Sequence, residues 1–102
     1  MNILYCDPSQ AQAIRLTYNQ QERTLTNVRA DQILAEIDDL VGQGPIDRLV
    51  LVNQASSFTV IRILVSIFNA LAYTKQIPLY AAAATEPVPY LIPQYSGQPN
   101  IT

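Results

Sequence analysis

The segment from Phe58 to Thr74, "FTVIRILVSIFNALAYT", constrains the fold of this chain more than any other. Stepped at about 100° per residue from Val60, Leu71, Leu64, Phe68, Ile61, Ala72 and Val65 spread from about 20° to about 140°. Ile67, Ile63 and Ala70 fall on the other side, from about 280° to about 340°. The apolar arc is thus about 220° wide, whereas a surface helix needs little more than about 100°. Arg62, Ser66, Asn69 and Tyr73 fill the narrow remainder. One sheet face cannot cover such an arc. The segment is either a helix enclosed by its own core or one that offers a flank to another protein. A chain of 102 residues has little material for full enclosure, which favours the second reading.

The rest of the chain supplies the elements that this helix must pack on. Residues 2–6 read as a short buried strand, stopped at Asp7-Pro8-Ser9. Residues 12–19 alternate, with Ile14, Leu16 and Tyr18 on one face and Arg15 and Thr17 on the other, which marks a half-exposed strand. Residues 19–22 form a hairpin loop, and 23–28 return as a third strand. Over 32–42, Ile33, Leu34, Ile37, Leu40 and Val41 make one apolar stripe of a first helix capped by Asp31. Gly42 and Gly44-Pro45 end it. Residues 48–53 are a continuous apolar run, expected as a central strand buried on both faces. Ser56 or Ser57 caps the second helix. Residues 78–81 suggest a fifth strand.

The order β-β-β-α-β-α-β predicts an α/β fold with a five-stranded mixed sheet and two helices on one face. That is the ribonuclease-H-like lobe of actin-like and sugar-kinase-like (ASKHA) proteins, here spanning residues 1–84. Residues 85–102 hold Pro87, Pro89, Pro93 and Pro99 and are expected to form an extended tail.

Composition removes several functions. The net charge is −2 and the six basic residues do not cluster, so direct nucleic-acid binding is not expected. Histidine is absent, which takes away the commonest general base and metal ligand. With Cys6 the single cysteine, neither an internal disulfide nor a structural zinc site is expected. Arg62, Ser66 and Asn69 interrupt the apolar runs, so no membrane span is expected, and the amino terminus lacks a signal-peptide pattern. A cytoplasmic protein without cofactors is the expectation.

"LVNQASSFTVIRILVSIFNALAYTKQIPLY" resembles a stretch of the TsaB (YeaZ-type) family, the subunit of the bacterial machinery for threonylcarbamoyladenosine in tRNA. Ser57, Phe58, Thr59, Arg62 and Ile63 match its G-P-G-S-F-T-G-L-R-I-G-like segment. Ala70-Leu71-Ala72 and Ile77-Pro78-Leu79 follow in order. "ILYCDPS" is similar to the family's I-L-x-I-D-T-S turn, and "VRADQILAEI" to its R-x-H-S-E-x-L-x-P-x-I. The similarity runs over about the first 81 residues. The three family glycines are replaced by Ala55, Val60 and Leu64, and the threonine of D-T-S by Pro8. "PVPYLIPQYSGQPNIT" resembles the family's carboxy-terminal P-x-Y-L tail, which implies a first lobe and a tail without the second lobe between them.

The resemblance implies a non-catalytic scaffold that pairs through its two helices with a TsaD-type catalytic subunit, or with itself as a homodimer. A TsaE-type ATPase could join such a complex. The residues expected at that interface are Ile61, Val65, Phe68 and Ala72 on the second helix and Leu34 and Ile37 on the first. The alternatives are a homodimeric module for another partner and a remnant nucleotide-binding or peptidase-like protein. The glycine-free junction at 52–57 speaks against a phosphate cradle, and one lobe alone encloses no nucleotide. Asp7 is expected in an Asx turn, Cys6 as a buried filler, and Asp38 and Asp39 on a solvated face. Without histidine, Ser56 and Ser57 lack a base that could activate them. Tyr90 and Tyr95 are expected to anchor the tail on the second face of the sheet or, alternatively, to dock on a partner.

Overall fold

The computed structural model describes residues 1–10, 13–27, 29–55 and 57–94. The expectations for Gln12, Val28, Ser56 and Tyr95 fall outside the described residues. Three strands come first: β1 (Ile3–Asp7), β2 (Ala13–Tyr18) and β3 (Gln21–Thr26). They are followed by α1 (Ala30–Val41), β4 (Arg48–Leu51), α2 (Phe58–Lys75) and β5 (Leu79–Ala81). The five strands form one mixed sheet in the order β3-β2-β1-β4-β5. β1, β2 and β3 pair antiparallel, whereas β1–β4 and β4–β5 are parallel. This is the topology of the ribonuclease-H-like lobe.

Alternation along the strands decides which face is covered. Leu4 and Cys6 of β1, Leu16 of β2, and Leu49 and Leu51 of β4 are fully buried, and their in-between neighbours are not. They form one core with Ile33, Ile37 and Leu40 of α1 and Ile61, Leu64, Val65 and Phe68 of α2. Both helices therefore lie on one face of the sheet. The other face carries half-buried Ile3, Tyr5, Val50 and Tyr80. Arg48 stacks over the Tyr80 ring there, 4.8 Å from its centroid. The apolar run at 48–53 is thus covered on one side only, contrary to the expectation of a strand buried on both faces. Val50 and Arg48 alternate with Leu49 and Leu51 and are half-buried, and among the described residues no helix lies over them.

The β2–β3 hairpin is tighter than its sequence suggests. Tyr18 pairs with Gln21, so the loop is Asn19-Gln20, with Asn19 left-handed at φ 56°. Asparagine tolerates that conformation. Arg23 of β3 donates to Glu36 at 3.1 Å and Asp39 at 2.7 Å, tying α1 to the sheet edge.

The first helix starts one turn-edge earlier than expected. Its flanking residue is Arg29, whose N–H is taken by the Gln32 side chain at 3.0 Å. Asp31 lies inside the first turn and is not the cap. There its charge faces the positive end of the helix and pairs with Arg29 at 3.2 Å. Gly42 closes the helix at φ 61°, a conformation that favours glycine, and its N–H bonds to Asp38. Two residues on, Gly44 sits against the Tyr18 side chain, whose hydroxyl donates to Pro45 O at 2.7 Å. A Cβ at Gly44 would collide with that hydroxyl.

The described part of the tail, residues 85–94, does not cross the second sheet face. It runs as a strap along α2 and the β5 edge. Val88 N–H bonds to Leu79 O at 2.8 Å. The Asn69 carboxamide accepts from Leu91 N–H at 2.8 Å and donates to Leu91 O at 3.1 Å. Asn53 donates to Ile92 O at 2.7 Å and accepts from Gln94 N–H at 3.1 Å. Leu91 is the anchor, at 8% exposure, whereas Tyr90 is 61% exposed. Tyr90 therefore anchors nothing on the open sheet face. Two asparagines near the helical face capture the strap first.

Candidate functional site

The covered part of α2 is narrow. Of its 18 residues, Ile61, Leu64, Val65 and Phe68 are buried, and its mean hydropathy is 1.3. By length and composition alone it could cross a membrane, but its buried side lies along a sheet, the setting of a core helix. Opposite that side, residues of α1 and α2 line an open groove.

The groove has two adjoining parts. The larger, about 480 Å³, is lined by Asp31 and Leu34 of α1 and by Thr59, Arg62, Ile63 and Ile67 of α2. The smaller, about 260 Å³, continues toward the helix end between Leu34, Ile67, Ala70, Leu71 and Thr74. Leu34, Ser66 and Ile67 belong to both. Leu34 projects into it at 42% exposure. The centre is aliphatic, with Asp31 and Arg62 at one end. Arg62 also stacks over Phe58, 5.4 Å from the ring centroid.

The sequence-predicted interface residues divide across this geometry. Ile61, Val65, Phe68 and Ile37 lie in the chain's own core and cannot be presented to a partner. Their side of the helix points at the sheet. Ala72 is half-buried beside the strap, away from the groove. Leu34 alone lines the groove. Ile63, Ile67 and Ala70 take the place of the others. Their positions at the far side of the apolar arc were the available signal. The arc has two flanks, and periodicity does not say which one the sheet covers.

The polar candidates are occupied locally. Ser57 accepts from Val60 N–H at 3.3 Å, an ordinary capping bond that uses up one free donor of the helix start. Asp7 accepts from Ser9 N–H at 2.9 Å, an Asx turn. Burial, with Asp7's charge adding to it, pushes the Cys6 thiol far up, so it stays protonated and unreactive. The hydrogen bond and charge of Glu22 hold Arg15 above its ordinary value, out on the open sheet face. Among the described residues no cluster of His, Cys, Asp or Glu suited to a metal exists, and no polar side chain is buried. The groove can bind an apolar surface; it holds no acid–base pair.

No family model matches the chain, and no curated protein matches it. Solved structures do. YeaZ from Pseudomonas aeruginosa superposes with a TM-score of 0.64 at 21% identity, over 79% of this chain and 42% of that one. A structure described as an uncharacterized protein with similarity to peptidase YEAZ from Pseudomonas aeruginosa gives 0.61 at 21%, with the same coverage. This chain spans about two-fifths of the length of the structures it matches. The likeness is one of fold: a YeaZ-like, ribonuclease-H-like lobe.

Proposed function

We propose that this chain is a non-catalytic scaffold subunit that pairs, through the α1–α2 groove, with a TsaD-type catalytic subunit of the tRNA threonylcarbamoyladenosine pathway in the cytoplasm. One observation carries the reading. An apolar helix with a mean hydropathy of 1.3 is buried along one side only, and its other flank opens into an aliphatic groove. Covering such a groove with a partner helix removes apolar surface from water at about 25 cal/mol per Å². The YeaZ-like fold and the resemblance of residues 57–63 and 70–79 support the choice of partner.

Light scattering of the chain alone and mixed with the TsaD-type protein of the same genome tests this. The expected result is a mixed complex that Ile67→Glu abolishes. Unchanged masses on mixing, with Ile67→Glu equally without effect, would sink the proposal. A self-associated species that Ile67→Glu breaks, with no mixed complex, assigns the groove to a homodimer instead. A Val65→Glu variant cannot serve here, because it would place a charge in the core.

A further inference from the structure

We infer that the cleft between α2 and the β5 edge is a binding site for an extended, proline-bearing peptide, filled in cis by residues 88–94. The strap is read through its main chain. Val88, Leu91 and Gln94 give their N–H groups to Leu79 O, Asn69 Oδ1 and Asn53 Oδ1. Leu91 and Ile92 offer their carbonyls to Asn69 Nδ2 and Asn53 Nδ2. The N–H groups used fall every third residue, the repeat of a polyproline II helix. Pro87, Pro89 and Pro93 occupy positions whose N–H the cleft does not read. Proline is therefore compatible there and stiffens the segment before it binds.

Side-chain selectivity comes from two places. Leu91 is buried and sets the register. Tyr90 and Ile92, at 61% and 63% exposure, contribute little to it. Beside Val88 and Pro89 a hollow of about 320 Å³ stays open, bounded by Ala72, Tyr73, Ile77, Pro78 and Leu79, with Gln76 as its polar rim. The cis segment underfills this site. β5 is also an edge strand, and adding an extended segment to such an edge is a recurrent way of recognising peptides. The ligand class is thus an extended peptide with leucine at the anchor and, in place of Val88, a larger apolar residue.

A fluorescent peptide of residues 86–94, EPVPYLIPQ, tests this against the full chain carrying Leu91→Ala, which loosens the cis strap and leaves the cleft intact. Saturable binding is expected at or below about 1 mM, the effective-concentration scale of a tethered segment. Adding Asn69→Ala should weaken it about tenfold. A peptide with Leu in place of the valine should bind a few-fold tighter than the parent. Absence of saturable binding to a cooperatively folded Leu91→Ala protein, or binding indifferent to Asn69→Ala, overturns the inference. If Leu91→Ala does not fold, hydrogen exchange of the unaltered chain decides. The Val88, Leu91 and Gln94 amides should open locally, well before those of β4. Exchange of all of them only through global unfolding overturns it.

Discussion

The two flanks of α2 border the same buried side but are met differently. On one, the strap lies against the helix, with Asn69 holding both polar groups of Leu91 and the Leu91 side chain tucked under. On the other, Ile63, Ile67 and Ala70 face a groove with Leu34 across it. The width of an apolar arc tells how much surface must be covered. The residue that borders each flank tells by what. Asn69 can pair with a passing backbone in both directions, so an extended segment completes it. Ser66 and Thr59, short and exposed, border a flank suited to another apolar surface.

The sharpest way to break this comparison is to strike the side toward the sheet. Phe68→Ala should lower unfolding free energy by about 3–5 kcal/mol in urea titrations, since the ring is fully buried between helix and sheet. A loss under about 1 kcal/mol would mean that this side is not the covered one. Next comes the strap flank. Asn69→Ala leaves the Leu91 N–H and C=O without their partner and should cost about 1–3 kcal/mol. Asn69→Asp keeps the acceptor but sets a carboxylate against the Leu91 carbonyl, and should not rescue the loss.

A third test asks how dry the space under the buried side is. The Cys6 thiol is pushed up by burial, so below the ordinary thiol value of about 8.5 both folded and unfolded chains keep the proton. Above it the unfolded chain releases the proton and the native one does not. Stability then falls as pH rises, by up to about 1.4 kcal/mol per pH unit. Cys6→Ala should flatten that alkaline slope, read from denaturant midpoints between about pH 7.5 and 9.5. An equal slope in both proteins would place water beside the sulfur. The smallest effect on folding belongs to the open flank. Ile67→Glu should change stability by less than about 1 kcal/mol in thermal melts while removing assembly with the partner.

Much of the architecture was legible because its signals are local. The alternation Ile14, Leu16, Tyr18 and the stripe Ile33, Leu34, Ile37, Leu40, Val41 each put apolar residues on one side at the right period, and the structure buries all of them but Leu34 and Val41 at the stripe's edge. Most of what failed depended on distant parts of the chain. Residues 48–53 look doubly buried, yet whether Val50 is covered depends on elements far off in the chain, and among the described residues it stays half-buried. Asp31 looks like a cap, but Arg29 and Gln32 close the helix a step earlier. The site was the least legible. Ile61, Val65 and Phe68 are no more apolar, by sequence, than Ile63 and Ile67. Which set faces the sheet is decided by how the chain enters and leaves α2. Asn69 and Asn53 were legible only as polar interruptions until the strap was seen to fit them.

One small contact near the other end of the molecule reaches further than its size. With Tyr18 lodged over Gly44 and bonded to Pro45, neither position can vary alone. A side chain at 44 evicts the phenol, and even beside a smaller residue at 18 it would still press on Val41 O at 3.1 Å. Across descendants of this sequence the two sites should drift together or stay put. The pair forms a covarying lock between the end of β2 and the entry to β4.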